Sequence, residues 1–377
     1  MNTSQKLPRR SFLALAAWSL ASCGGGSGGF AGLPGTGGTG ITSFGSISGF
    51  GSVIVNSIKF DDLQASIQIN GESAMSTDLR LGMVANVQGI RGTTTSLGTA
   101  SSIKVWSVAQ GAVSQVSAGQ FKLAGMTLLT NGATAFDGLS SAAALAPGLQ
   151  VTVWGLQTTA DASNWTATRV AVSSASSVVC SGLVHVANSQ ISINGLILTG
   201  SLTDSLKAGQ LVRIQGTLSL DGTSLLVTRV KVLDTDIQFN EGEAEVEGLI
   251  TSLLSATRFQ LGSIEVDTSA ASFEPLNLQL VVGTRVEVHG SWQAGVLKAY
   301  RVETEDEESL DQVEIEAQIT EFTSLSNFVV RSQRCDASGV TVVKNGALSD
   351  IKLGAKVHLK GTKMGDVVKV TQLSLDD

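Results

Sequence analysis

"LVVGTRVEVHG" occupies residues 280–290, and four variants of it stand elsewhere in the chain: "LRLGMVANVQG" (79–89), "LAPGLQVTVWG" (145–155), "LKAGQLVRIQG" (206–216) and "IKLGAKVHLKG" (351–361). The shared template is apolar-x-x-Gly-x-x-apolar-x-apolar-x-Gly. Its closing glycines, Gly89, Gly155, Gly216, Gly290 and Gly361, recur every 61 to 74 residues. A template held without a gap over its whole length marks internal repetition. Within it, V-x-V alternation predicts a half-buried strand with the valines inward. The first Gly predicts a turn that a side chain would hinder, and the last Gly predicts a strand end or kink.

Each copy carries similar flanks. Upstream lies a Gly-x-apolar opening: Gly45–Ile47, Gly111–Val113 and Gly248–Ile250, shifted to Gly182–Leu183 in the third copy and replaced by Ala317–Ile319 in the fifth. Next come "FKLAGMTL" (121–128), "ISINGLIL" (191–198) and "FQLGSIEV" (259–266), alternating runs around a small-residue pair that predict hairpins. Downstream stand "ASSI" (100–103), "ATRV" (167–170), "VTRV" (227–230), "AYRV" (299–302) and "VTQL" (370–373) as a final strand. About five strands per unit is too many for a thin solenoid turn and suits a small closed barrel, which also leaves no open strand edge. The expected fold is therefore all-β: five tandem small five-stranded Greek-key (OB-like) barrels after a signal peptide and a flexible tether. The expected units are 43–105, 106–173, 174–234, 235–304 and 305–377, the last two each made of an acidic linker plus a repeat.

Composition agrees. Of 377 residues, 42 are Gly and only 15% are charged, with Val, Leu, Ile, Ala, Thr and Ser making up much of the rest. The net charge of −7 makes phosphate backbones poor partners, so no nucleic acid is expected.

The N-terminus reads as an address. Lys6, Arg9 and Arg10 precede an apolar run from Phe12 to Leu20, too short to span a bilayer permanently, so residues 1–22 read as a signal peptide. "LASC" (20–23) resembles the lipobox of bacterial lipoproteins. That resemblance implies cleavage before Cys23, its acylation, and an outer-membrane lipoprotein facing the periplasm or the cell surface. "RRSFL" (9–13) also resembles a twin-arginine signal, and both export routes stay open. "GGGSGGFAGLPGTGGTG" (24–40) reads as a tether, within an expected segment 23–42, with an r.m.s. reach of about 20–25 Å.

"GSISGFGSVIVNSIKFD" (45–61) followed by "DLRLGMVANVQG" (78–89) resembles a family of bacterial exported proteins built from tandem domains of unknown function, believed to be small OB-like barrels. The resemblance is closest in the first repeat and extends over about 43–376. It implies a fold and a location but no activity and no site residues.

"DTDIQFNEGEAEVEG" (234–248) and "ETEDEESLDQVEIEAQ" (303–318) read as solvated acidic spacers, with a cluster of carboxylates for a divalent cation as the rival reading. His185, His289 and His358 fall in three units without metal-ligand spacing, so no metal is expected. Cys180 and Cys335 belong to non-adjacent units; an exported chain permits a disulfide, and two free thiols is the favoured alternative. No motif places a nucleophile, a carboxylate pair or a phosphate loop, so neither catalysis nor a cofactor is expected. The candidate partner or ligand contacts are Trp154, read as outward by alternation, and the recurring arginines Arg169, Arg229 and Arg301, whose rival reading is a stem packed along the barrel wall. The expectation is a lipid-anchored structural or interaction protein of the cell envelope whose partner is an envelope protein or polysaccharide. The alternative is a lipoprotein that binds polysaccharide or a small ligand.

Overall fold

The computed structural model describes residues 40–233, 243–304 and 311–375. The expected signal peptide, the expected lipidation site Cys23 and most of the expected tether lie outside these residues, as do 234–242 and 305–310 of the two acidic stretches. Among the described residues there are strands and short 3₁₀ turns but no α-helix, and the strands close into small five-stranded barrels.

The strands over 40–105 are β1 (Gly40–Phe50), β2 (Val53–Val55), β3 (Ile58–Asp61), β4 (Ser66–Ile69), β5 (Glu72–Ala74), β6 (Val84–Arg91) and β7 (Leu97–Val105). β1 pairs antiparallel with β2 and β2 with β3; β3 runs parallel to β7, β7 pairs antiparallel with β6, and β6 returns to β1. Every strand of that ring has two partners, so no ladder is left open. The β4–β5 hairpin continues along the same edge of β7 that β3 pairs with, and Ile67 of β4 is buried in the core.

Residues 109–172 follow the same circuit. The strands are β8 (Ala109–Ala112), β9 (Ser114–Ser117), β10 (Gln120–Leu123), β11 (Met126–Leu129), β12 (Ala135–Asp137), β13 (Gln150–Leu156) and β14 (Asn164–Val172). Next come β15 (Val178–Leu183), β16 (His185–Ala187), β17 (Gln190–Ile193), β18 (Leu196–Thr199), β19 (Leu211–Leu218) and β20 (Ser224–Val232), paired likewise. β21 (Glu243–Ser255), β22 (Arg258–Leu261), β23 (Ile264–Asp267), β24 (Ser272–Glu274), β25 (Arg285–Gln293) and β26 (Val296–Thr304) repeat it. So do β27 (Gln312–Ser324), β28 (Asn327–Val330), β29 (Gln333–Asp336), β30 (Lys356–Met364) and β31 (Val367–Leu375).

The recurring phrase builds the same corner each time. Its first glycines, Gly82, Gly148, Gly209, Gly283 and Gly354, all have φ between +80° and +92°, a turn conformation that L side chains resist. Its inward pairs, among them Val286 with Val288 and Val357 with Leu359, are fully buried. Each closing glycine sits at a shift of register between the last two strands of its ring. A Cβ there would meet a carbonyl of the partner strand at 2.0–2.7 Å, so glycine lets the bulge form and the strand bend around the barrel. The hairpin pairs turn as expected, with Ala124–Gly125 and Asn194–Gly195 both at positive φ. Phe121, Phe259 and Phe328 then fill equivalent interior positions on β10, β22 and β28, each burial contributing about 1.5–3 kcal/mol.

Two expectations need correction. The tether ends before residue 42, because Gly40–Thr42 already belong to β1 and Ile41 and Thr42 are buried. The acidic stretches are not spacers over 243–248 and 311–318, since 243–248 starts β21 and 312–318 starts β27. The repeats also touch out of chain order. β1 pairs parallel with β21 over Gly40–Phe44 and with β27 at Gly49 and Phe50, so the first repeat lies against the fourth and the fifth. The first and fifth share one hydrophobic core; the second and third share another, bridged by the pairing of β8 with β15.

Candidate functional site

This packing forms a partly open cavity of about 280 Å³ to which four repeats contribute. The first supplies Phe44 of β1 and Val84 of β6. The second supplies Trp106 and Val108, which precede β8, Gly155 at the bulge with the next residue Leu156, and Trp165 of β14. The third adds Ser181, His185 and Asn194, and the fourth adds Thr251, Gln260, Gly262 and Ser263 around the β22–β23 turn. The lining is mixed apolar and neutral polar; among the described residues on it there is no Asp, Glu, Lys or Arg.

Local chemistry fixes several of these groups. Trp165 donates its indole N–H to the Ala162 carbonyl at 2.9 Å, which holds the ring. Asn194, in a positive-φ turn, lies over Gly182, where a Cβ would stand 2.3 Å from its Oδ1, and donates to the Ser181 carbonyl at 2.8 Å. Phe44 packs against Gly262, where a Cβ would stand 3.1 Å from its ring, so two glycine-lined walls give the cavity its form. The Ser263 hydroxyl is shielded from water and has no hydrogen-bond partner among the described residues, an arrangement that costs free energy unless something else meets it.

Trp154 is not outward. It is 6% exposed and packs into the core shared by the first and fifth repeats, because the face it presents away from its own barrel is covered by a neighbour. Arg169 is buried too, paired with Asp137 and donating to the Leu81 carbonyl at 3.1 Å, so it ties the second repeat to the first. Burial pulls its guanidinium down to about 10, against the pull of Asp137, and it stays charged at neutral pH. Burial, reinforced by nearby Arg169, also pulls the ammonium of Lys363 down to about 8. Arg229 is exposed, and exposed Arg301 pairs with Glu274 at 2.7 Å and Glu303 at 2.8 Å. The structure does not bring the four candidate contacts together as one site.

The acidic stretches hold basic partners. Glu245 and Glu247, both buried on β21, pair with Arg91 of the first repeat and with Arg285 respectively. Glu314 receives Lys59 of the first repeat, His358 at 2.7 Å and Lys360 at 3.1 Å; burial opposes its charge, but these three partners hold the carboxyl down to about 2. Glu316 pairs with Lys356 at 2.9 Å. Glu245, Glu287 and His289 bring ligand atoms within 4.8 Å of one another, a grouping that sequence spacing did not reveal. Arg91 already contacts both carboxylates, and its fixed positive charge makes the trio an ion-pair network rather than a cation site. Cys180 and Cys335 are free thiols buried in different cores, each pushed up to about 12 by burial.

The molecule is thus an all-β protein of small closed barrels around an inter-repeat cavity. Two of its stretches, residues 110–171 and 247–303, match the family model described as a domain of unknown function (DUF5666). They correspond to the second and fourth repeats, whereas the resemblance seen in the sequence was closest in the first. No curated protein matches the chain.

Proposed function

We propose that this chain is an exported, lipid-anchored protein of the cell envelope, without catalytic activity, that holds a small ligand where its barrels meet. In this reading residues 1–22 are a signal peptide and acylated Cys23 fastens the protein to the outer membrane. Five OB-like barrels then form the extracytoplasmic body, a reading supported by the ring order of pairings, in which the third strand runs parallel to the last. The observation that carries the binding role is the cavity. It is concave and mostly apolar, it has a few fixed polar groups, and it lies between repeats as ligand sites commonly do. Two experiments test the reading. Fatty-acid labelling in cells should mark the wild type and spare Cys23→Ser, which should also leave the membrane fraction. A thermal-shift screen of neutral small molecules on the full-length protein should find stabilising compounds, and an empty screen would count against a binding role.

A structural or interaction role is the second reading. It is favoured by the cross-repeat pairings of β1 and by the Arg91–Glu245 and Lys59–Glu314 bridges, which fasten the repeats into a platform on which an envelope protein could dock.

A further inference from the structure

We infer that the ligand of the four-repeat cavity is a neutral saccharide of one or two rings; the inference rests on the binding role proposed above. Charge decides first. The described lining holds no Asp, Glu, Lys or Arg; its one ionisable side chain is the exposed His185, and Arg213 behind it donates to the hydroxyls of Ser107 and Ser181, so a phosphate, a carboxylate or an ammonium group would find no fixed charge on the walls to pair with, and an unpaired buried charge is strongly disfavoured.

Polarity decides next. A purely apolar guest such as an acyl chain would leave the hydroxyl of Ser252 and the side-chain amides of Gln157 and Gln260 facing hydrocarbon. Gln157 commits its amide N–H to the Thr159 carbonyl at 3.1 Å and keeps its side-chain oxygen as an acceptor.

Shape decides last. Trp106 and Trp165 give the cavity two indole rings, and the hydrogen bond to Ala162 holds Trp165 in place before any guest arrives. A sugar ring combines what these walls require: a flat C–H face for an indole, a rim of hydroxyls that both donate and accept, and no formal charge. A volume of about 280 Å³, at the small end of ligand cavities, sets the limit at one or two rings.

The test titrates maltose, cellobiose and chitobiose into the full-length protein in lipid nanodiscs, reading tryptophan fluorescence and calorimetry together. Lauric acid and indole serve as apolar probes. At least one disaccharide should bind, and Trp106→Ala should weaken it about tenfold or more while Trp106→Phe, which keeps a ring face, costs much less. Gln260→Ala, a change at a half-exposed position that leaves the core intact, should weaken it as well, with the melting temperature of the free protein unchanged. Lauric acid or indole binding without any sugar would overturn the saccharide assignment and leave the binding role standing. Silence from every probe up to millimolar concentration would overturn both.

Discussion

Gly354 and Gly361 open and close the last copy of the recurring phrase, and alanine at each should fail for a different reason. Gly354 has φ +84°, and a Cβ there meets nothing within 4 Å, so Gly354→Ala carries only the cost of holding an L residue in a left-handed conformation, about 1–2 kcal/mol. Gly361 sits at the register shift between β30 and β31. A Cβ there would stand 2.3 Å from the Lys369 carbonyl oxygen and 2.9 Å from its carbon. Backbone cannot swing aside as a side chain can, so the bulge must open. Overpacking of that kind costs about 1–3 kcal/mol, and the ladder bond lost with it adds about 1 kcal/mol. Gly361→Ala should therefore cost about 2–4 kcal/mol, clearly more than Gly354→Ala, and Gly354→Asn should recover much of the smaller loss because Asn tolerates the left-handed region. The assay is amide hydrogen exchange on β30 and β31, which reads the opening of this pair of strands locally. Equal losses at the two glycines, or a neutral Gly361→Ala, would refute the assignment of the closing glycine to a bulge.

Other outcomes follow from the charged and thiol groups. Glu314 is held well below its ordinary value near 4.5, at about 2, so its contribution to stability is complete above pH 4.5 and is lost as pH falls through that window towards 2. Glu314→Gln should be less stable than wild type at neutral pH, with the gap closing in acid, as urea midpoints across pH would show. Arg91→Ala leaves Glu245 buried without its partner and should cost about 3–5 kcal/mol, whereas Arg334→Ala breaks a surface pair with Asp366 and should cost about 0–1 kcal/mol. Cys180 and Cys335, buried and pushed up to about 12, should resist a thiol reagent at pH 8 in the native protein and react once urea exposes them.

Much of the barrel was legible because its determinants are local. Period-two alternation around Val286 and Val288, a turn glycine at Gly283 and a bulge glycine at Gly290 each act within a few residues, so one phrase specifies one corner. What lies between barrels was not legible. Alternation says that Trp154 leaves its own barrel's interior; it cannot say that a neighbouring repeat covers that outer face. The same blindness turned Glu245, Glu247 and Glu314 into spacer charges, although "EAEVEG" and "VEIEA" already alternate as strands do. Arg91, the partner of Glu245, and Lys59, a partner of Glu314, stand far away in sequence. The cavity was hidden most completely: Trp106 and Trp165 share no motif, and the walls that face them come from three other repeats.

That non-sequential packing is the central claim, because without it there is no cavity. Its most direct test is zero-length carbodiimide coupling of the full-length protein, followed by mass spectrometry of the linked peptides from the monomer. The ion pairs Lys59–Glu314 and Lys231–Glu72 join the first repeat to the fifth and to the third, so those two residue pairs should be coupled within one chain. Links confined to single repeats, or to repeats adjacent in sequence, would contradict the packing and the cavity with it.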